Sequence, residues 1–309
     1  MLRRMWALAA SAVLGSTVIG LAGPASAAPD CPDLHWIGVA GSGERDNPTL
    51  NGGMGRVVYR SLQDISRLVA QDGRTMTAEP VVYPAVEVPA DGDLLGWGGF
   101  MSSVDTGVAA LANQYTAFTQ RCPQSKVVLA GYSQGAMVVH RNLHALATSP
   151  NLAAALLVAD GDRLPTDPTI NLGTATMVPG AGKGVAQDWP ILAHAPAPLP
   201  PTVGSRTISV CDRGDAVCDY DPDADEVTAA AIAVHTSYAR SASQPWTWPL
   251  YQLLMPTVTN PAVPNPTVPI PTGPVPGPQA PTLQASPQNP LTGTETSVQP
   301  AEEPAPTLG

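Results

Sequence analysis

Apolar and polar positions divide the chain into three unequal stretches. An apolar run from Trp6 to Ala22 follows Arg3 and Arg4 and gives way to Ala25-Ser26-Ala27. A basic start, an apolar middle and a small-residue end mark a secretory leader, and Gly15, Gly20 and Pro24 argue against a stable spanning helix. Residues 1–27 are therefore expected to be a signal peptide. At the other end, residues 256–309 show no apolar periodicity, hold 15 of the 35 prolines and contain no Lys or Arg. Such a stretch buries too little surface to offset its ordering entropy, so it reads as a Pro-rich disordered tail. Residues 29–255 remain as one domain, long enough for a substantial core.

Inside that domain the patterning alternates between strand and helix. Residues 34–40 are a continuous apolar run, a buried strand that stops at Gly41-Ser42-Gly43, and a helix follows over about 55–70. Residues 81–83 read as a strand ended by Pro84. Val104, Val108, Leu111, Tyr115 and Phe118 recur at helical spacing across 101–120. A β-branched run at 126–130 leads into a tight glycine turn and a helix over 136–146. Later strands are expected at 154–158 and 207–210, and a helix, or loop plus helix, at 225–240. This alternation predicts an α/β fold, a three-layer sandwich whose mostly parallel sheet is covered on both faces.

Charge and cysteine content narrow the possibilities. The chain carries 25 acidic against 15 basic residues, a net charge of −10, and loss of the leader with its two arginines makes the mature domain more negative still. Nucleic acid is excluded as a partner on that ground. Arginine far outnumbers lysine and alanine and proline are abundant, the bias of a GC-rich genome. No apolar stretch after the leader is long enough to cross a bilayer. Four cysteines in a secreted domain suggest two disulfides, with Cys211 and Cys218 stapling one loop and Cys31 joined to Cys122. The close ligand spacings of a zinc site are absent.

The candidate chemistry centres on Gly131-Tyr132-Ser133-Gln134-Gly135. A Gly-x-Ser-x-Gly sequence is common by chance, but here a strand precedes it and a helix follows, the setting in which a serine is lifted clear of a sheet. The N–H groups opening the helix are suited to a developing oxyanion. A serine hydroxyl needs a base, and the base needs a carboxylate to orient it. In the chain order Ser, Asp, His, the histidines that qualify are His194 and His235; His35 lies upstream, and His140 and His144 sit on the helix after the nucleophile. Asp215, in the loop closed by Cys211 and Cys218, is the chosen acid, with Asp212, Asp219, Asp221 and Asp223 as competitors. The alternating carboxylates from Asp219 to Glu226 resemble the start of a calcium loop, but Ala224 occupies the position that needs glycine, so a solvated loop and no metal is expected.

Taken together, Gly41-Ser42-Gly43-Glu44, Tyr83-Pro84-Ala85, Ser103-x-x-x-Gly107, the Gly131–Gly135 turn with Ala136, Cys211-x-x-Gly214-Asp215-x-x-Cys218 and His235-x-x-Tyr238 resemble the cutinase family. The resemblance implies a lidless α/β-hydrolase domain with a triad of Ser133, Asp215 and His235. It also implies an oxyanion hole built from the backbone N–H groups of Ser42 and Gln134, and it supports the two cysteine pairings. The implied activity is a secreted serine esterase, cofactor-free, acting on carboxylic esters such as lipid or cutin-like acyl esters. Two alternatives stay open: an acetylxylan-type carbohydrate esterase, and a non-catalytic cell-envelope module whose working part is the tail. The chain departs from the family at Ala40, where an arginine is common, and in its Pro-rich end. That end reads either as a reach into the cell envelope or as dispensable.

Overall fold

Six strands, β1 (Leu34–Val39), β2 (Met76–Pro80), β3 (Lys126–Tyr132), β4 (Leu152–Val158), β5 (Ile170–Leu172) and β6 (Thr207–Val210), pair in the order β2-β1-β3-β4-β6-β5, every pair parallel. The computed structural model describes residues 31–255 apart from 48, 90–92, 190–191, 193–197, 225 and 241–243. The expected leader and Pro-rich tail lie outside the described residues.

The inner strands read as unbroken apolar runs because both faces of the sheet are covered. Side chains alternate across it. Ile37, Val39, Leu129 and Leu157 pack in one layer with Val104 and Leu111 of α2 (Leu94–Arg121) and Met137 and Val138 of α3 (Gln134–Leu143). Trp36, Val128, Leu156 and Ile208 pack in the other with Val57 and Ile65 of α1 (Arg56–Gln71) and Leu250 of α6 (Thr247–Leu254). No described helix is long and apolar enough to cross a membrane.

The expected strand at 81–83 is displaced. β2 ends at Pro80, and Val81 to Tyr83 leave the sheet as a loop that buries Val81 and Tyr83 and exposes Val82. As an edge strand β2 is only half buried, so its own sequence, Met-Thr-Ala-Glu-Pro, carries little apolar signal. The three-residue β5 at the opposite edge is too short to leave a pattern, as is the single turn α4 (Pro201–Gly204) before β6. α2 starts seven residues before the expected position, capped by the Asp93 carboxylate, which accepts the Gly96 N–H at 2.9 Å. Glycines 96, 98 and 99 dilute the helical signal there. Disulfides join Cys31 to Cys122, fixing the entry to β1 against the end of α2, and Cys211 to Cys218, seven residues apart.

Beneath α3 lies a buried ionic cluster that anchors the helix to the loop after β4. His140 Nδ1 bonds Asp160 Oδ2 at 2.5 Å, and Arg141 grips Asp162 through two bonds at 2.6 and 3.1 Å. Burial alone would push the His140 imidazole down, but Asp160, with Asp162 and Asp167 behind it, outweighs burial and raises it from the ordinary 6.5 to about 9. The folded protein then holds a proton on His140 that the unfolded chain releases above pH ~6.5. His140 should therefore stabilise the fold fully below that pH and lose its contribution as the pH rises through about 9. Chemical denaturation at pH 6 and pH 9.5 should show wild type losing its advantage over His140→Gln by an amount on the order of 3 kcal/mol at most. An advantage that is the same at both pH values would contradict the assignment.

Candidate active site

The turn from β3 into α3 is built around a backbone that only its two glycines permit. Ser133 stands at φ 54° and ψ −122°, a region that L-residues avoid. A Cβ on Gly131 would lie 2.2 Å from the Gly135 carbonyl oxygen, and one on Gly135 would lie 2.3 Å from the Val39 carbonyl oxygen. Strand, helix start and the end of β1 are thus pressed together with no room for a side chain. The Ser133 N–H donates to Val158 O at 2.9 Å, and its carbonyl accepts from Ala136 and Met137, so the strained residue is held on both sides. The motif's spacing follows from these contacts.

Around this serine the structure brings together residues far apart in sequence. Ser133 Oγ lies 3.0 Å from His235 Nε2, and His235 Nδ1 lies 3.0 and 3.1 Å from the two oxygens of Asp215. With Asp215 ionised, Nδ1 carries the proton and Nε2 is left to accept from the serine. Asp215 is fully buried, and its Oδ1 also accepts the Val217 and Cys218 N–H groups at 2.7 and 3.0 Å. The disulfide at Cys218 therefore fixes the peptide that fixes the carboxylate. His235 ends α5 (Ala229–His235), a helix with no buried residue of its own. Its position depends on Asp215 and on Tyr132, whose hydroxyl donates to His235 O at 2.8 Å and whose ring stacks on the imidazole.

Three of the four competing acids are occupied elsewhere. Asp212 Oδ1 accepts from the Thr174 N–H and hydroxyl, Asp219 takes the N–H groups of Gly182 and Gly214, and Asp221 caps Asp223. His35 bonds Thr77 and Glu79 and stacks on Phe118, and His140 belongs to the ionic cluster beneath α3. His194 lies outside the described residues, as do most of the positions between Pro190 and Ala197.

The glycine turn after β1 faces the serine. Ser42 and Glu44 line, with Tyr132, Ser133 and His235, an open cleft of about 470 Å³ that also exposes Leu50 and Val88. Ser42 Oγ is buried with no hydrogen-bond partner among the described residues. Gln134 opens α3, where an N–H has no acceptor in its own helix. Its side chain is turned away, with Oε1 accepting from Ser103 Oγ at 3.2 Å and Nε2 donating to Val86 O at 3.4 Å. The turn is held from behind by Tyr83 OH, donating to Ala40 O at 2.5 Å, and by Gly43 N–H, donating to Ala85 O at 2.8 Å. Glu44 completes it, its Oε2 accepting the Gly41 N–H at 2.8 Å. These contacts brace the turn from Ala40 to Glu44. Tyr132 and Glu44 lie inside motifs visible in the sequence, but their contacts could be read only in three dimensions.

Comparison with known proteins agrees with this architecture. The cutinase family model matches residues 30–252. Phospholipase Culp4 of Mycobacterium tuberculosis (strain ATCC 25618 / H37Rv) is 28% identical over 220 residues, covering 70% of this chain and 80% of that protein. Acetylxylan esterase 2 of Talaromyces purpureogenus is 32% identical over 109 residues, 35% of this chain and 41% of that protein. The chain spans between 34% and 53% of the length of the fungal cutinases from Verticillium dahliae and Monilinia fructicola that it matches. In fold it is similar to a cutinase-like protein from Cryptococcus sp., with a TM-score of 0.51 at 19% identity over 74% of this chain and 96% of that one. The parallel sheet, the two disulfides and a family match across most of the sequence lead to one assignment: the chain belongs to the cutinase family of carboxylic-ester hydrolases.

Proposed function

We propose that this protein is a secreted serine esterase in which Ser133 forms the acyl-enzyme, His235 moves the proton and Asp215 holds His235. The observation that carries this reading is the unbroken hydrogen-bonded path from Ser133 Oγ through His235 to a buried carboxylate. In acylation the Ser133 hydroxyl proton passes to His235 Nε2 as the oxygen attacks the ester carbonyl carbon. The carbonyl oxygen takes up negative charge, which the Ser42 and Gln134 N–H groups stabilise together with the Ser42 hydroxyl, which has no partner among the described residues. Collapse breaks the bond to the alcohol oxygen, which leaves with the proton from His235. Water then repeats the cycle and releases the acid. No step uses a metal or cofactor.

For substrate we favour acyl esters of lipid or cutin-like type. Leu50 and Val88 expose apolar surface in the cleft beside Ser133, a setting suited to an acyl chain, and Culp4 is named a phospholipase. Similarity to an acetylxylan esterase keeps short acetyl esters of carbohydrate as the second reading. A panel of soluble esters from acetyl to palmitoyl separates them. Rates that rise with chain length support the first, and rates confined to acetyl esters support the second. Residues 1–27 are read as the removed leader and 256–309 as an extension dispensable for turnover.

Ser133→Ala should leave the fold intact and lower kcat by several orders of magnitude, since a small side chain fits the same turn while the nucleophile is lost. A folded variant with near-normal turnover would remove Ser133 as the nucleophile, whereas a folded wild type that cleaves no ester would point to a non-catalytic envelope module. Asp215→Asn should lower kcat by up to ~10⁴-fold, because an amide admits the wrong imidazole tautomer. Asp221→Asn, whose carboxylate caps only Asp223, should cost less than about twofold in kcat/KM. Reversal of that order in steady-state assays would require another acid.

A further inference from the structure

We propose that Glu44 is a positioning residue for the oxyanion turn: its carboxylate ties Gly41 to the first turn of α1 and so fixes where the Ser42 N–H and hydroxyl point. This rests on the esterase reading above and extends it to a residue that acts through the turn it holds.

Beyond Val39 the first strand leaves the sheet, so the turn carrying Ser42 has no ladder to hold it. Glu44 closes it twice. Its N–H donates to Gly41 O at 3.2 Å, and its Oε2 accepts the Gly41 N–H at 2.8 Å. The other oxygen, Oε1, accepts the Arg56 N–H at 3.0 Å, at the start of a sixteen-residue helix. That helix has glycine at its N-cap, no side-chain cap and no acidic residue in its first turn. A carboxylate from twelve residues upstream thus takes an N–H that would otherwise lack an acceptor, at the end of the helix that favours negative charge. Gly55 shows that the space is reserved. It has φ +75°, and a Cβ there would lie 1.9 Å from Glu44 Oε2.

Simple helix capping would not need a contact to Gly41. The carboxylate spans the two elements, and the turn it closes carries Ser42, whose hydroxyl is buried with no hydrogen-bond partner among the described residues. Burial pushes the Glu44 carboxyl above its ordinary range, while the Gly41 and Arg56 N–H groups and the Arg56 charge act to lower it. The Tyr132 ring also lies beside the turn, 2.9 Å from a Cβ built on Gly41.

The test compares full-length wild type, Glu44→Gln, Glu44→Ala and Asp33→Asn on a soluble p-nitrophenyl ester. Each kcat is normalised by active-site titration, and each variant's Tm is measured alongside. Asp33 is the control for stability, since its carboxylate holds Thr75 at the opposite end of β1. Glu44→Gln keeps the shape but can accept only one of the two N–H groups, so kcat per titrated site should fall about tenfold with KM within about twofold, and Glu44→Ala should lose about 100-fold. Asp33→Asn should lower Tm and leave kcat unchanged. If Glu44→Ala does not fold, the isosteric Gln variant carries the test alone. A kcat per site within about twofold of wild type in Glu44→Gln would overturn the proposal, as would an equal loss in Asp33→Asn. If wild type turns over and Ser133→Ala does not, that result overturns only the role of Glu44. A wild type that cleaves no ester overturns the esterase reading and this inference together.

Discussion

A serine held at φ 54° and ψ −122° costs on the order of 1–3 kcal/mol, and the rest of the domain is organised so that this conformation persists. The turn survives because Gly131 and Gly135 let β3, α3 and the end of β1 approach within distances that any Cβ would forbid. The parallel strands β1, β3 and β4, among those buried on both faces, supply the rigidity behind it, and the Val158 carbonyl at the end of β4 takes up the Ser133 N–H. With the strain comes the geometry: the serine stands beyond the C-terminal end of the inner strand β3, at the start of α3.

The remaining parts of the site are brought to that serine by polar contacts more than by packing. α5 buries none of its residues, so His235 is placed by the Tyr132 hydroxyl on one side and the Asp215 carboxylate on the other. Asp215 in turn is set by two N–H groups of a loop closed by a disulfide. A buried carboxylate that already accepts three hydrogen bonds has little freedom to rotate, which is the preorganisation that proton transfer requires.

Much of this was legible in the sequence, for physical reasons that also explain the rest. The doubly covered strands at 34–39, 126–132, 152–158 and 207–210 announce themselves as apolar runs because both faces are buried. The edge strands β2 and β5 do not, being half exposed or very short. Ser133 could be proposed from its motif and Asp215 from the stapled loop, while chain order left His194 beside His235 and the family resemblance supplied the full triad. The ionic cluster of His140, Asp160 and Arg141 was invisible because its members look like solvated charges until the fold closes over them. Glu44 was visible as a motif letter, but its partner Arg56 and the space left by Gly55 exist only after β1 and α1 are packed.

The central claim is that this strained, hydrogen-bonded Ser133 is a nucleophile, and the most direct measurement is mass spectrometry of the intact protein and its peptides after brief exposure to a fluorophosphonate. The account predicts a single adduct on the peptide containing Ser133, formed rapidly by wild type, slowly by Asp215→Asn and not at all by Ser133→Ala. An adduct on another residue, or none on a folded wild-type protein, would contradict it.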